Sequence, residues 1–156
     1  EWLTEKIKTV SQELTKIHGA RIFTLRDDQV IKVMIPASVL FLPNDTILKP
    51  TVSETLTPIL SQVKSKEFDL IVAGYMDDSG RADYTYKISK SRANATARWF
   101  AIAGIEPTAM ITYAFGSEHP RRPNTSTASR AENRRIEFIL IPSQTLLHSR
   151  KSGIFR

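Results

Sequence analysis

Apolar residues at Leu3, Ile7, Val10, Leu14 and Ile17 recur at alternating spacings of four and three, which is one helical stripe. Lys6, Lys8, Glu13 and Lys16 occupy the other faces, and Gly19 supplies a stop. The stripe predicts an amphipathic N-terminal helix, either docked on the domain or connecting it to a more N-terminal anchor. The same spacing also serves self-associating coiled coils. β-Favouring residues over 20–25 and 29–35 flank Arg26-Asp27-Asp28 and predict two strands with a tight turn, closed by Pro36. Val39-Leu40-Phe41-Leu42 is a short apolar run that Pro43-Asn44-Asp45 interrupts. Val52, Leu56, Ile59, Leu60 and Val63 mark a second helix between 50 and 64, with Pro58 bearing on its extent. Residues 68–73 predict a strand, with Gly74 opening the turn after it. The longest helical pattern covers 84–103 and stops at Gly104. Its apolar stripe, Ile88, Ala95, Trp99 and Ile102, is expected to face the sheet. A strand over 109–115 precedes a polar loop over 116–132, whose 128–132 portion can be helical. The last strand, 135–141, alternates Ile136, Phe138 and Leu140 with Arg135, Glu137 and Ile139.

This order predicts an α+β fold: a mixed β-sheet with helices packed on one face, plus the N-terminal amphipathic helix. Three regions follow, a helix or connector at 1–19, the domain at 20–142, and a basic tail at 143–156. The tail lacks sustained periodicity, and is either mobile or packed through Leu146 and Leu147.

A chain of 156 residues suits one domain with a real core. No run of eighteen apolar residues occurs, so no segment here is expected to span a membrane. The opening residues do not read as a signal peptide, and an export signal or membrane tether is expected outside this fragment. The absence of cysteine excludes disulfides and thiolate zinc sites. A formal charge of +6 attracts polyanions in general. No basic run is interleaved with aromatics, so nucleic acid is not an expected partner.

Candidate chemistry concentrates in Gly74-Tyr75-Met76-Asp77-Asp78-Ser79-Gly80, in the helix after it, and in Asn133-Arg134-Arg135. Thr85, Ser89 and Arg92 follow helical spacings and share one face near the acidic turn. A carboxylate at Asp77 can take an ammonium, while Arg92 offers a planar fork to a carboxylate. The pair therefore suits a zwitterionic centre. The plainer alternatives are that Asp77 and Arg92 pair with each other, or that Asp78 caps the turn. Adjacent strand residues face opposite sides, so Arg134 and Arg135 should divide their roles. Arg130 and Glu132 are expected to form a local pair. The acidic turn lacks the spaced carboxylates of a calcium loop. His18, His119 and His148 have no companion at ligand spacing. Neither a nucleophile elbow nor a phosphate-binding glycine loop occurs, so no catalytic residue, metal or cofactor is expected.

These segments resemble the OmpA-like peptidoglycan-binding family, which includes OmpA C-terminal domains, Pal lipoproteins and the flagellar stator protein MotB. The resemblance covers roughly 39–142. It rests on residues 74–80, on Ile88-Ser89-Lys90-Ser91-Arg92-Ala93, and on Arg130-Ala131-Glu132-Asn133-Arg134-Arg135-Ile136-Glu137. It implies non-catalytic binding of peptidoglycan through the diaminopimelate of the stem peptide. It places the family's ligand-binding aspartate on Asp77 and its arginine on Arg92, with Arg134 the cleft-side member of the Asn-Arg-Arg element. Asp78, Thr85 and Ser89 complete the expected site. Thr85 stands where the family usually has asparagine, Ile88-Ser89 where it has leucine-serine, and Ser129-Arg130 where it commonly has glycine-arginine. The N-terminal helix and the segment 35–50 look most like the MotB-type branch. That implies a periplasmic domain tethered to the inner membrane within a motor or secretion complex, with outer-membrane attachment as the runner-up. Partners would be peptidoglycan, envelope proteins and a second copy of the chain. The competing reading is an interaction domain of an envelope complex that has lost wall binding.

Overall fold

The apolar stripe at the N-terminus is buried. Helix α1 (Trp2–Leu14) sets Ile7, Val10 and Leu14 into the core, and Ile17 follows them just beyond the helix. The computed structural model describes residues 1–151. After α1 come β1 (Arg21–Leu25), β2 (Val30–Pro36), the short α2 (Ala37–Leu40) and α3 (Val52–Lys64). These are followed by β3 (Phe68–Tyr75), α4 (Ala82–Ile102), a 3-10 turn at Pro107–Ala109 and β4 (Met110–Gly116). The chain then forms α5 (Thr127–Asn133), β5 (Arg135–Pro142) and α6 (Gln144–Lys151).

Among the described residues the strands form one mixed sheet in the order β1-β2-β5-β3-β4. Only β3 and β4 pair in parallel, joined by the α4 crossover; the other neighbouring pairs are antiparallel. The register sets Val33 opposite Phe138, and Phe138 opposite Val72. Directly opposed residues share a face, so the period-2 pattern resolves into one apolar surface. Ile31, Val33 and Ile35 of β2, Ile136, Phe138 and Leu140 of β5, and Phe68, Leu70 and Val72 of β3 are all buried there. They join the apolar residues of α1, α3 and α4 in a single core. Burial of this area supplies the main driving force for the fold, at roughly 25 cal/mol per Å² of apolar surface.

Several expectations need correction. The strand β3 runs through Gly74 and Tyr75, so Gly74 does not open the turn. Its function is steric: a Cβ at this position would lie 2.2 Å from the Ser89 carbonyl oxygen. Glycine is what lets α4 cross β3 this closely. The buried face of α4 follows the predicted stripe only in part: Ala95 and Trp99 pack against the core, but the fully buried positions lie elsewhere. Thr85, Ser89, Ala93, Thr96 and Phe100 face inward, whereas Ile102 is 78% exposed. The physical reason lies in where the hydroxyls bond. Thr85 Oγ1 donates to the Ala82 carbonyl, Ser89 Oγ to Tyr86 and Thr96 Oγ1 to Arg92. A hydroxyl satisfied by its own helix buries as a small side chain, and small side chains fit where two backbones approach.

Pro58 does not shorten α3, whose buried Val52, Leu56, Ile59 and Val63 hold it along its length. In the tail, α6 buries Leu146, and Ser143 bonds the backbone of Lys66 and Glu67. Residues 152–156 of the predicted basic tail lie outside the described residues. No helix among the described residues is long and apolar enough to cross a membrane.

Candidate functional site

The strand β3 ends at Tyr75, and the next residues descend into the acidic turn. Met76 N–H donates to the Gly116 carbonyl at 2.7 Å, and Gly116 N–H donates to Ser89 Oγ at 3.0 Å. Ser89 thus ties α4 to the end of β4, which in turn holds the start of the acidic turn. Ser89→Ala would leave the buried Gly116 N–H unpaired. The expected cost is about 1–3 kcal/mol of stability, read from the urea midpoint.

Asp77 is buried, with 1% of its surface exposed. Its Oδ1 accepts from Ser79 N–H at 2.8 Å, and its Oδ2 accepts from Arg134 Nη1. Burial pushes the carboxyl pKa up. The Ser79 and Arg134 hydrogen bonds outweigh that and hold it below its ordinary value. A depressed folded pKa contributes stability above the unfolded value, about 3.9, and that stability is lost as pH falls through the folded value. The wild-type chain is therefore expected to destabilise more steeply below about pH 4 than Asp77→Asn, as read from urea midpoints across an acid series.

Arg92 is also buried, at 6% exposure. Its Nε donates to the Asp45 carbonyl at 3.0 Å, and Nη1 lies 3.4 Å from Met76 Sδ. The guanidinium lies over the Phe41 ring, 5.4 Å from its centroid. Burial, and then the neighbouring Arg134 charge, lower its pKa; Asp77 and Asp45 act in the opposite direction. Arg92 is therefore enclosed, although the helix face it shares with Thr85 and Ser89 is polar. The loop between Phe41 and Leu48, closed by a β-bridge, holds it from the side.

Asp77 and Arg92 feel each other's charge but form no direct ion pair among the described residues. Asp77 pairs with Arg134, whose side chain is 36% exposed. Asp78 pairs with Arg130 at 3.2 Å instead of capping the turn. Arg130 is thereby drawn away from Glu132, its expected partner, and Glu132 pairs with Arg122 at 3.1 Å. Thr85 and Ser89 lie in the helix–sheet interface beside the turn, with their hydroxyls already engaged. Arg135 takes the opposite side from Arg134. Its guanidinium lies 3.9 Å from the Tyr75 ring centroid and its Nε donates to Glu137 at 2.8 Å. Tyr75 itself is pushed up to about 12 by burial and by the Glu137 charge.

Two contributors have structural roles that the sequence does not disclose, although Asn133 belongs to the Asn-Arg-Arg element. Asn133 is fully buried; its Oδ1 accepts from Arg121 and Arg122 N–H, and its Nδ2 donates to Arg122 O and Asn124 Oδ1. It therefore clamps the loop that runs before α5. The Asp45 carbonyl orients Arg92, and the only sequence signal was the polar break at Pro43-Asn44-Asp45, where Asn44 has a φ of 56°.

Comparison with known proteins gives relatives of the same kind. The lipoprotein YiaD of Escherichia coli (strain K12) is 28% identical over 128 residues, covering 81% of this chain and 58% of the relative. The peptidoglycan-associated lipoprotein of Pseudomonas aeruginosa is 26% identical over 91 residues, covering 58% of this chain and 54% of the relative. The chain therefore spans only 58% and 54% of the lengths of these two relatives. The crystal structure of a MotB-like protein from Desulfovibrio vulgaris superposes with a TM-score of 0.74 at 29% identity, covering 90% of this chain and 96% of that one. The family model for OmpA matches residues 40–134, which include the Phe41–Leu48 loop, the acidic turn, Arg92 and Arg134. The chain belongs to the OmpA family.

Proposed function

We propose that this chain is a non-catalytic peptidoglycan-binding module that recognises the diaminopimelate of the stem peptide. The observation that carries this reading is a buried carboxylate and a buried guanidinium, Asp77 and Arg92, held beside each other without pairing. The free end of diaminopimelate presents an ammonium and a carboxylate on one carbon. Asp77 would take the ammonium and the Arg92 fork the carboxylate. Arg134 is the movable member: it occupies Asp77 in the free protein, and its side chain reaches solvent. Binding would exchange the Arg134 contact for the ligand amine and free Arg134 to reach a carboxylate of the stem. Asp78, held by Arg130, would keep the turn in place, and Ser89 would support it from the helix.

In the cell the module would lie in the periplasm and pin an inner-membrane-tethered motor or secretion complex to the wall. Several copies in one complex, or a homodimer, would convert modest single affinities into firm attachment. A second reading, an interaction domain without wall binding, draws on Thr85. That side chain is buried and bonds its own helix, so it offers a ligand nothing in place of the family's asparagine.

Co-sedimentation of the chain with purified diaminopimelate-type peptidoglycan at moderate salt separates these readings. Pelleting that free diaminopimelate competes away supports wall binding. A chain that stays in solution favours the interaction domain.

A further inference from the structure

Arg21, Arg121 and Arg135 line a cavity of about 220 Å³ together with Glu132 and Met34. It lies on the sheet face opposite the core, since Met34 and Arg135 alternate with the inward Val33 and Ile136. We propose that this cavity is an oxyanion site that takes a carboxylate or phosphate group, separate from the Asp77–Arg92 cleft.

Cations outnumber anions around the cavity. Glu132 is shared between Arg122 at 3.1 Å and Arg21 at 3.7 Å. Arg121 has no ion pair among the described residues, and its guanidinium lies 5.8 Å from the Phe23 ring centroid. Lys32 approaches the same ring at 5.3 Å. Arg135 is 5% exposed and rigidly held, through Nε to Glu137, Nη1 to the Asn133 carbonyl and Nη2 to the His119 carbonyl. An arginine has five N–H donors, so this fork keeps donors beyond those three bonds. Four guanidiniums, those of Arg21, Arg121, Arg122 and Arg135, therefore face two carboxylates, Glu132 and Glu137. A small oxyanion relieves that excess, and a pre-held guanidinium binds one with little ordering cost.

Arg134 reaches Asp77 on one side of the chain while Arg135 lines the cavity on the other.

The test is an NMR titration of the full chain with inorganic phosphate at constant ionic strength, with acetate titrated in parallel. The expected result is saturable shifts at the Arg135 Nε–H and at amides of residues 19–21, 121–122 and 132–135. Arg21→Ala/Arg121→Ala should weaken this binding at least about ten-fold, while Lys8→Ala/Lys87→Ala, which removes equal charge elsewhere, should leave it unchanged. Tighter binding of phosphate than acetate assigns the site to phosphate-bearing ligands, and the reverse to carboxylates. Should the double variant fail to fold, Arg121→Gln alone is the test, because that guanidinium anchors no ion pair among the described residues. Shifts that do not saturate, or equal weakening in the lysine control, would overturn the proposal.

Discussion

Asp77→Ala and Arg92→Ala are each expected to abolish pelleting with diaminopimelate-type peptidoglycan while circular dichroism shows a folded chain. Removing one partner of a desolvated charged contact costs about 2–5 kcal/mol, roughly 30-fold to several thousand-fold in affinity. A single stem-peptide contact has little affinity to spare. Both side chains are nearly fully buried, so neither interaction is screened as a surface pair would be. The two variants differ in what they leave behind. Asp77→Ala strands Arg134, which is partly exposed and can turn to solvent. Arg92→Ala empties the space between Phe41, Met76 and the Asp45 carbonyl, and should also lower stability. Arg92→Lys separates charge from geometry. A lysine keeps the cation and loses the fork, so it should fold well and still bind poorly. If both alanine variants pellet like wild type, the attraction comes from the chain's net charge and not from this site.

Gly74→Ala is expected to be the most destabilising single-methyl change in the molecule. A Cβ there would sit 2.2 Å from the Ser89 carbonyl oxygen and 3.0 Å from its carbonyl carbon. Both are backbone atoms inside α4, so no rotamer change relieves the overlap and the helix itself must lift off β3. Over-packing typically costs about 1–3 kcal/mol, and more where the neighbour cannot yield, so about 3 kcal/mol or more is expected here. For a chain of this size that corresponds to a fall of about 10 °C in the thermal midpoint. Because Ser89 also holds Gly116 N–H, the same displacement would loosen the turn that carries Asp77. An unchanged midpoint would show that α4 does not pack on β3 as described.

The periodic elements were legible in the sequence because periodicity reports burial directly. The stripe of α1 and the alternation in β5 map onto the core without adjustment. The stripe of α4 places Ala95 and Trp99 against the core but misses the fully buried Thr85, Ser89 and Thr96, because hydropathy counts threonine and serine as polar. Their hydroxyls in fact donate to carbonyls of their own helix, and the nearby Gly74 demands small neighbours. That glycine was itself read as a turn signal, since close backbone approach and turn formation favour the same residue. At the site, charge type singled out Asp77 and Arg92, but the partner of each depends on contacts far apart in sequence. Arg134 and Asp45 reach them from other elements, as Arg130 reaches Asp78. Local spacing carries no information on such pairs, and it suggested the wrong partner for Arg130.

The central claim is that one site reads an ammonium and a carboxylate together. NMR titration of the chain with two synthetic stem peptides tests it, one carrying diaminopimelate and one carrying lysine in its place. The lysine peptide keeps the amine and lacks the carboxylate that Arg92 would hold. The account predicts saturable shifts around Asp77 and Arg92 with the diaminopimelate peptide, and at least about ten-fold weaker binding of the lysine peptide. Equal binding of the two, or shifts confined to other surfaces, would contradict it.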